Sequence, residues 1–112
     1  MIRGGKLVNV QSREVLDWQV AIAAGRFAYT GPDASHCIGD GTEVIQAEGQ
    51  YLIPGLCDGH MHIESGMLTP AEFAAAVIPH GTTTMFTDPH EIANVLGLRG
   101  VRLMHDLSLI HI

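Results

Sequence analysis

Lysine is almost missing from this 112-residue chain: Lys6 is the only one, and basic residues number 6 against 12 acidic. The formal net charge of -6, with no basic run, excludes the electrostatic footprint of a nucleic-acid or anionic-membrane binder. Cysteine is nearly as scarce. Cys37 and Cys57 are too few for a disulfide framework, and free thiols in a cytoplasmic setting are expected. Long hydrophobic runs are missing too. The longest apolar stretch, around Phe73 to Pro79, falls far short of the ~20 residues of a membrane span. The opening Met1-Ile2-Arg3-Gly4-Gly5-Lys6 has no apolar segment of the secretory kind, so no leader is expected. Internal repeats, low-complexity segments and a phosphate-binding glycine pattern are all absent. The length suffices for one small domain with a core, but not for a (β/α)8 barrel of ~250 residues. What remains is 46% hydrophobic and 16% charged, the balance of a chain that buries itself.

Residues 1–53 read as short strands separated by glycine turns. Lys6 to Val10, Trp18 to Ile22, Arg26 to Thr30 and Glu43 to Ala47 are the strand candidates. Ala24-Gly25, Gly31-Pro32-Asp33, Gly39-Asp40-Gly41 and Glu48-Gly49 are the turns. At Pro54-Gly55 the character changes. Leu56 to Ile63 reads as one strand. Thr69 then caps a helix, with Pro70 at its first position and Glu72 completing a capping box. Phe73, Ala76 and Val77 share a face of that helix, and Pro79 and Gly81 end it. Thr82 to Thr87 is β-branched and strand-like, Glu91 to Leu96 a helical turn, and Arg99 to Asp106 a further helix. Strand, helix, strand, helix implies parallel strands joined by crossovers, in a barrel or an open sheet.

The chemistry concentrates in Asp58-Gly59-His60-Met61-His62-Ile63-Glu64. On a strand, alternate side chains share a face, so Asp58, His60, His62 and Glu64 are expected on one side. Two imidazoles at that spacing can meet on one cation, with the flanking carboxylates orienting them or taking a proton. A lone His-x-His is a weak signal, since most such pairs lie on surfaces. Four titratable groups on one face of a strand about to be buried are harder to explain without a site. A second cluster, Asp88-Pro89-His90-Glu91, follows the next strand, at its carboxyl end like the first, where α/β sites assemble. Taken alone, His90 serves a solvated helix start equally well. His36, His80, His105 and His111 have no ligand-like partners at useful spacing. Cys57 has the opposite parity to Asp58 and is expected to be buried and apolar. Met61, Met67, Met85 and Met104 are expected to fill the core.

The segment Ala47-Glu48-Gly49-Gln50-Tyr51-Leu52-Ile53-Pro54-Gly55-Leu56-Cys57-Asp58-Gly59-His60-Met61-His62 resembles the opening of the amidohydrolase superfamily. More narrowly, His62-Ile63-Glu64-Ser65-Gly66-Met67-Leu68-Thr69-Pro70-Ala71-Glu72-Phe73 resembles the adenine deaminase family. So does the stretch from Gly81 through Asp88-Pro89-His90-Glu91 to Gly97. The resemblance spans residues 2 to 104. Ser65-Gly66 departs from the family's usual Ser-Ser, and Cys57 from its usual isoleucine. Leu107-Ser108-Leu109-Ile110-His111-Ile112 departs altogether. It resembles translated sequencing-adapter sequence, so residues 107–112 are expected to be a non-native tail.

The resemblance implies a fold class of α/β: the start of a (β/α)8 TIM barrel over residues 54–106, preceded by an N-terminal β-sandwich portion over residues 1–53. It implies hydrolysis of adenine to hypoxanthine and ammonia by a cytoplasmic homo-oligomer that takes a small-molecule substrate. The cofactor implied is a divalent metal, manganese or iron with zinc as an alternative, and binuclear in a full-length enzyme. His60, His62 and His90 are the candidate metal ligands. Asp58, Glu64, Ser65, Asp88 and Glu91 are candidates for orienting ligands or touching substrate. The family's main acid/base lies on a late barrel strand that this chain does not reach. Lys6, in the β-portion, cannot be the carboxylated lysine with which many superfamily members bridge two metals. Two alternatives stay open. One is a different cyclic-amide or amidine amidohydrolase of the dihydroorotase, hydantoinase or deacetylase type, against which Glu64 stands, because dihydroorotase-like chains carry arginine near it. The other is a non-catalytic fragment.

Overall fold

The computed structural model describes residues 1–109; residues 110–112, including His111 and half of the expected tail, lie outside it. Leu107 to Leu109 continue the last helix. The chain is of mixed α/β type and forms two compact units, Met1–Pro54 and Gly55–Ile112. Among the described residues no helix is long and apolar enough to cross a membrane.

The first unit carries two sheets. Strands β1 (Ile2–Arg3), β4 (Gln19–Ala23), β5 (Arg26–Gly31) and β6 (Ile45–Gln46) form one, in the order β5-β4-β1-β6. Strands β2 (Lys6–Asn9), β3 (Glu14–Leu16) and β7 (Tyr51–Leu52) form the other, in the order β3-β2-β7. The β4–β5 hairpin turns through Ala24 and Gly25, both at positive φ, as a two-residue hairpin of the required twist demands. Met1, Ala21 and Ala34 are the buried centre, with Tyr29, Cys37 and Val44 packed on it. The expected strand Glu43 to Ala47 contracts to Ile45–Gln46. Strands β1, β3 and β7 are too short, at two or three residues, for alternation to announce them.

The second unit is a parallel pair, β8 (Leu56–Met61) and β9 (Thr82–Thr87), joined through helix α1 (Pro70–Val77). Helices α2 (His90–Leu96) and α3 (Leu98–Leu109) follow. Thr69 caps α1 as the sequence suggests: its hydroxyl accepts from the Glu72 backbone, and its own backbone N–H donates to the Glu72 carboxylate at 3.2 Å. On α1, Pro70 is buried and Ala71, Phe73, Ala74 and Val77 are half-buried; Ala76, expected to share the face of Phe73 and Val77, is exposed. Gly81 closes the crossover at φ +97°, a conformation glycine adopts without strain. Gly55 has a different reason to be glycine, because a Cβ there would run into the Thr83 side chain on β9.

Several expectations give way here. The first strand ends at Met61 rather than Ile63, and Ile63 to Gly66 form a 3-10 turn, so Glu64 leaves the strand face it was expected to share. The pairing within the strand also slips: Asp58 to Met61 covers three steps against two on β9, Met85 to Thr87, which marks a bulge at Gly59-His60. Cys57, expected to be buried, is exposed on a strand that pairs only with β9 among the described residues. Met67 is 92% exposed; it ends the 3-10 turn in the left-handed conformation (φ +53°), which turns its side chain out of the core.

Candidate metal centre

The bulge in β8 is the first element of the site. It takes the His60 backbone N–H out of the regular ladder, and the Asp58 carboxylate receives it at 3.0 Å. Asp58 therefore shapes the backbone that presents His60. His62 follows as an extended residue capping the 3-10 turn, so its ring stays on the same side as His60 despite the end of the strand. The two Nε2 atoms lie 2.9 Å apart, with ring centroids at 4.7 Å.

Asp88 arrives from the carboxyl end of β9, the next strand over. Its backbone is held twice: its N–H donates to the Met61 carbonyl at 2.9 Å, and its carbonyl accepts from His62 Nδ1 at 2.7 Å. Its carboxylate Oδ2 lies 3.9 Å from His60 Nε2. One ligand atom each from His60, His62 and Asp88 falls within 4.8 Å of the others. The two polar clusters seen in the sequence lie side by side.

The tautomers follow from the partners. A carbonyl only accepts, so His62 Nδ1 carries the proton and its Nε2 presents a lone pair. His60 Nε2, facing that lone pair, then carries the proton between the rings. With the His60 proton on Nδ1 instead, both Nε2 atoms would present lone pairs, and together with the Asp88 carboxylate they would form a donor set that suits a divalent metal. His60 and Asp88 side chains are 67% and 52% exposed, so the site is open on one side.

His90, expected as a ligand, sits one layer out. Its Nδ1 is 3.2 Å from Asp88 Oδ2, and its ring meets the His62 ring edge to face at 4.6 Å. Ser65 donates to Glu91 Oε1 at 2.6 Å. Glu64 Oε1 accepts from the Ile92 N–H at 3.4 Å, and its Oε2 is buried with no partner. Asp88 was read in the sequence as an orienting or substrate group, and here it stands with the two histidines in the donor set. Elsewhere, His36 packs edge-on against Tyr29, and the His105 ring pairs with its neighbour Asp106.

Residues 51–109 match the sequence model of the amidohydrolase family. The chain belongs to the amidohydrolase family. Among curated proteins it is similar to adenine deaminase 1 of Jannaschia sp. (strain CCS1), 77% identical over 111 residues, 98% of this chain and 19% of that protein. It is equally similar to the adenine deaminase of Ruegeria sp. (strain TM1040), 77% identical over 111 residues, 98% of this chain and 18% of that protein. The adenine deaminase of Moorella thermoacetica is 58% identical over 106 residues, 95% of this chain and 18% of its own length. The chain spans about a fifth of the length of these relatives.

Proposed function

We propose that this chain is the metal-binding opening segment of an adenine deaminase, which hydrolyses adenine to hypoxanthine and ammonia. The convergence of His60, His62 and Asp88 ligand atoms within 4.8 Å, at the carboxyl ends of two parallel strands of an amidohydrolase, carries the proposal. The similarity to adenine deaminases at up to 77% identity supports the substrate. In this proposal residues 54–106 begin a (β/α)8 barrel, residues 1–53 contribute to a β-sandwich, and residues 107–112 are a non-native tail. The metal is manganese or iron, binuclear in the full-length enzyme, which works as a cytoplasmic homo-oligomer on its small-molecule substrate.

His60, His62 and Asp88 would hold one cation, with His90 available as a further donor once it releases Asp88. When bound, a divalent metal lowers the pKa of its water from ~15.7 toward ~7 and so supplies a nucleophile at neutral pH. The chain's own residues do the positioning. The Asp88 carbonyl keeps His62 in the tautomer whose Nε2 can ligate. Asp58 fixes the bulge that aims His60. His90 holds Asp88 Oδ2, the same oxygen that faces His60 Nε2. Deamination replaces the C6 amino group by oxygen from water, and it requires a proton on ring N1 and another on departing ammonia. Those proton transfers need an acid/base that this segment does not provide.

The test is a full-length chimera in which residues 1–106 of this chain replace the matching segment of the Jannaschia adenine deaminase. Loaded with manganese, it should release ammonia from adenine. A chimera that folds and binds metal but leaves adenine intact overturns the proposal.

A further inference from the structure

Four hydrogen bonds join the segment after β8 to the segment after β9, at nearly constant spacing along the chain. Asp88 N–H donates to Met61 O, His62 Nδ1 to Asp88 O, Ser65 Oγ to Glu91 Oε1, and Ile92 N–H to Glu64 Oε1. Two of the four touch Asp88 itself. The Ser65–Glu91 bond at 2.6 Å is as short as a hydroxyl-to-carboxylate bond normally becomes, and the Glu64–Ile92 bond at 3.4 Å is long. Between them they fasten the first turn of α2 to the 3-10 turn that His62 caps. That turn of α2 carries His90, which holds Asp88 Oδ2 at 3.2 Å.

The geometry points to Ser65 and Glu91 as a clasp that positions Asp88 and His90 against the His60–His62 pair, with Glu91 acting as a hydrogen-bond acceptor and not as a proton carrier. Glu91 Oε1 is engaged by the Ser65 hydroxyl, on the 3-10 turn that His62 caps. Glu91 therefore acts through Asp88 and is a positioning residue. A His-x-His on a strand and an aspartate on the next are held by different backbone segments, and their mutual distance is only as defined as the bonds between those segments. Removing the strongest of the outer bonds should loosen the donor set while leaving every donor in place. This inference rests on the metal-centre proposal above.

The experiment uses the full-length chimera and reads metal affinity by competition with a chromophoric chelator. The visible absorption of the cobalt-loaded protein serves as a second signal. Ser65→Ala and Glu91→Ala should each weaken affinity roughly tenfold, the low end of the loss typical when a group supporting a ligand is removed. Both should also broaden or shift the cobalt bands. Glu91→Gln keeps an acceptor oxygen for Ser65 and should hold affinity within about twofold of the parent. Two controls separate the inference from the proposal it rests on. If His60→Ala leaves affinity untouched, the metal centre itself is misplaced. If His60→Ala abolishes binding while Ser65→Ala and Glu91→Ala bind as the parent does, the clasp is wrong and the centre stands. If Glu91→Gln loses as much as Glu91→Ala, the carboxylate charge rather than the hydrogen bond is what matters, and the acceptor role is overturned.

Discussion

Replacing His62 by alanine removes more than a ring. In the structure His62 supplies one of three converging ligand atoms, and its Nδ1 donates to the Asp88 carbonyl at 2.7 Å. Zinc sites with four protein ligands are worth about 10–16 kcal/mol in apparent binding free energy, or about 2.5–4 kcal/mol for each ligand. At 1.4 kcal/mol per decade, loss of one ligand is a weakening of ~10²- to ~10³-fold. The broken bond to Asp88 adds to this, because that carbonyl loses a partner and the carboxylate on the same residue loses its anchor. The expected Kd for manganese in His62→Ala therefore lies at least ~10²-fold above the parent chimera. Elemental analysis after gel filtration should show the corresponding loss of bound metal. The far-ultraviolet circular dichroism should hold, since His62 is only half buried and fills no core. A His62→Ala chimera that retains metal within a factor of about three of the parent would refute the assignment of the donor set.

Two further outcomes follow from particular contacts. Gly55→Ala drives a Cβ into the Thr83 side chain and should cost about 1–3 kcal/mol by overpacking, read as a lower denaturant midpoint of the chimera. Pairing it with Thr83→Ala should restore part of the loss, and no change in Gly55→Ala alone would contradict the close approach. The 112-residue chain on its own should self-associate in light scattering. Phe86, Val95 and Leu98 are 66%, 76% and 78% exposed, and β8 and β9 pair only with each other among the described residues, leaving unpaired strand edges. A monodisperse monomer with a sharp cooperative melt would count against that expectation.

The second unit was more legible than the first, for a physical reason. Its strands and α-helices are six residues or longer and carry their own punctuation, so the cap at Thr69, the break at Gly81 and the β-branched run from Thr82 each spoke locally. The strands of the first unit are as short as two residues, and their pairing is set by partners more than forty positions away, such as Ile2 with Ile45. Nothing in a two-residue window encodes such a partner. Gly55 shows the same divide at one residue. The sequence marks Pro54-Gly55 as the point where the character of the chain changes, but the glycine is required by a threonine on another strand.

The site divides along the same line. His60 and His62 were legible because their spacing survives the bulge and the end of the strand. Glu64 was misplaced because strand parity was carried two residues past the point where the chain turns into a 3-10 helix. Asp88 was legible as a polar residue at a strand end, yet its meeting with the histidine pair was not. That meeting is tertiary: the Asp88 backbone is pinned to Met61 and His62, and its Oδ2 lies 3.2 Å from His90 Nδ1 and 3.9 Å from His60 Nε2. A sequence names the groups at the end of a strand. The hydrogen bonds between strand ends decide which of those groups faces the cation and which supports it.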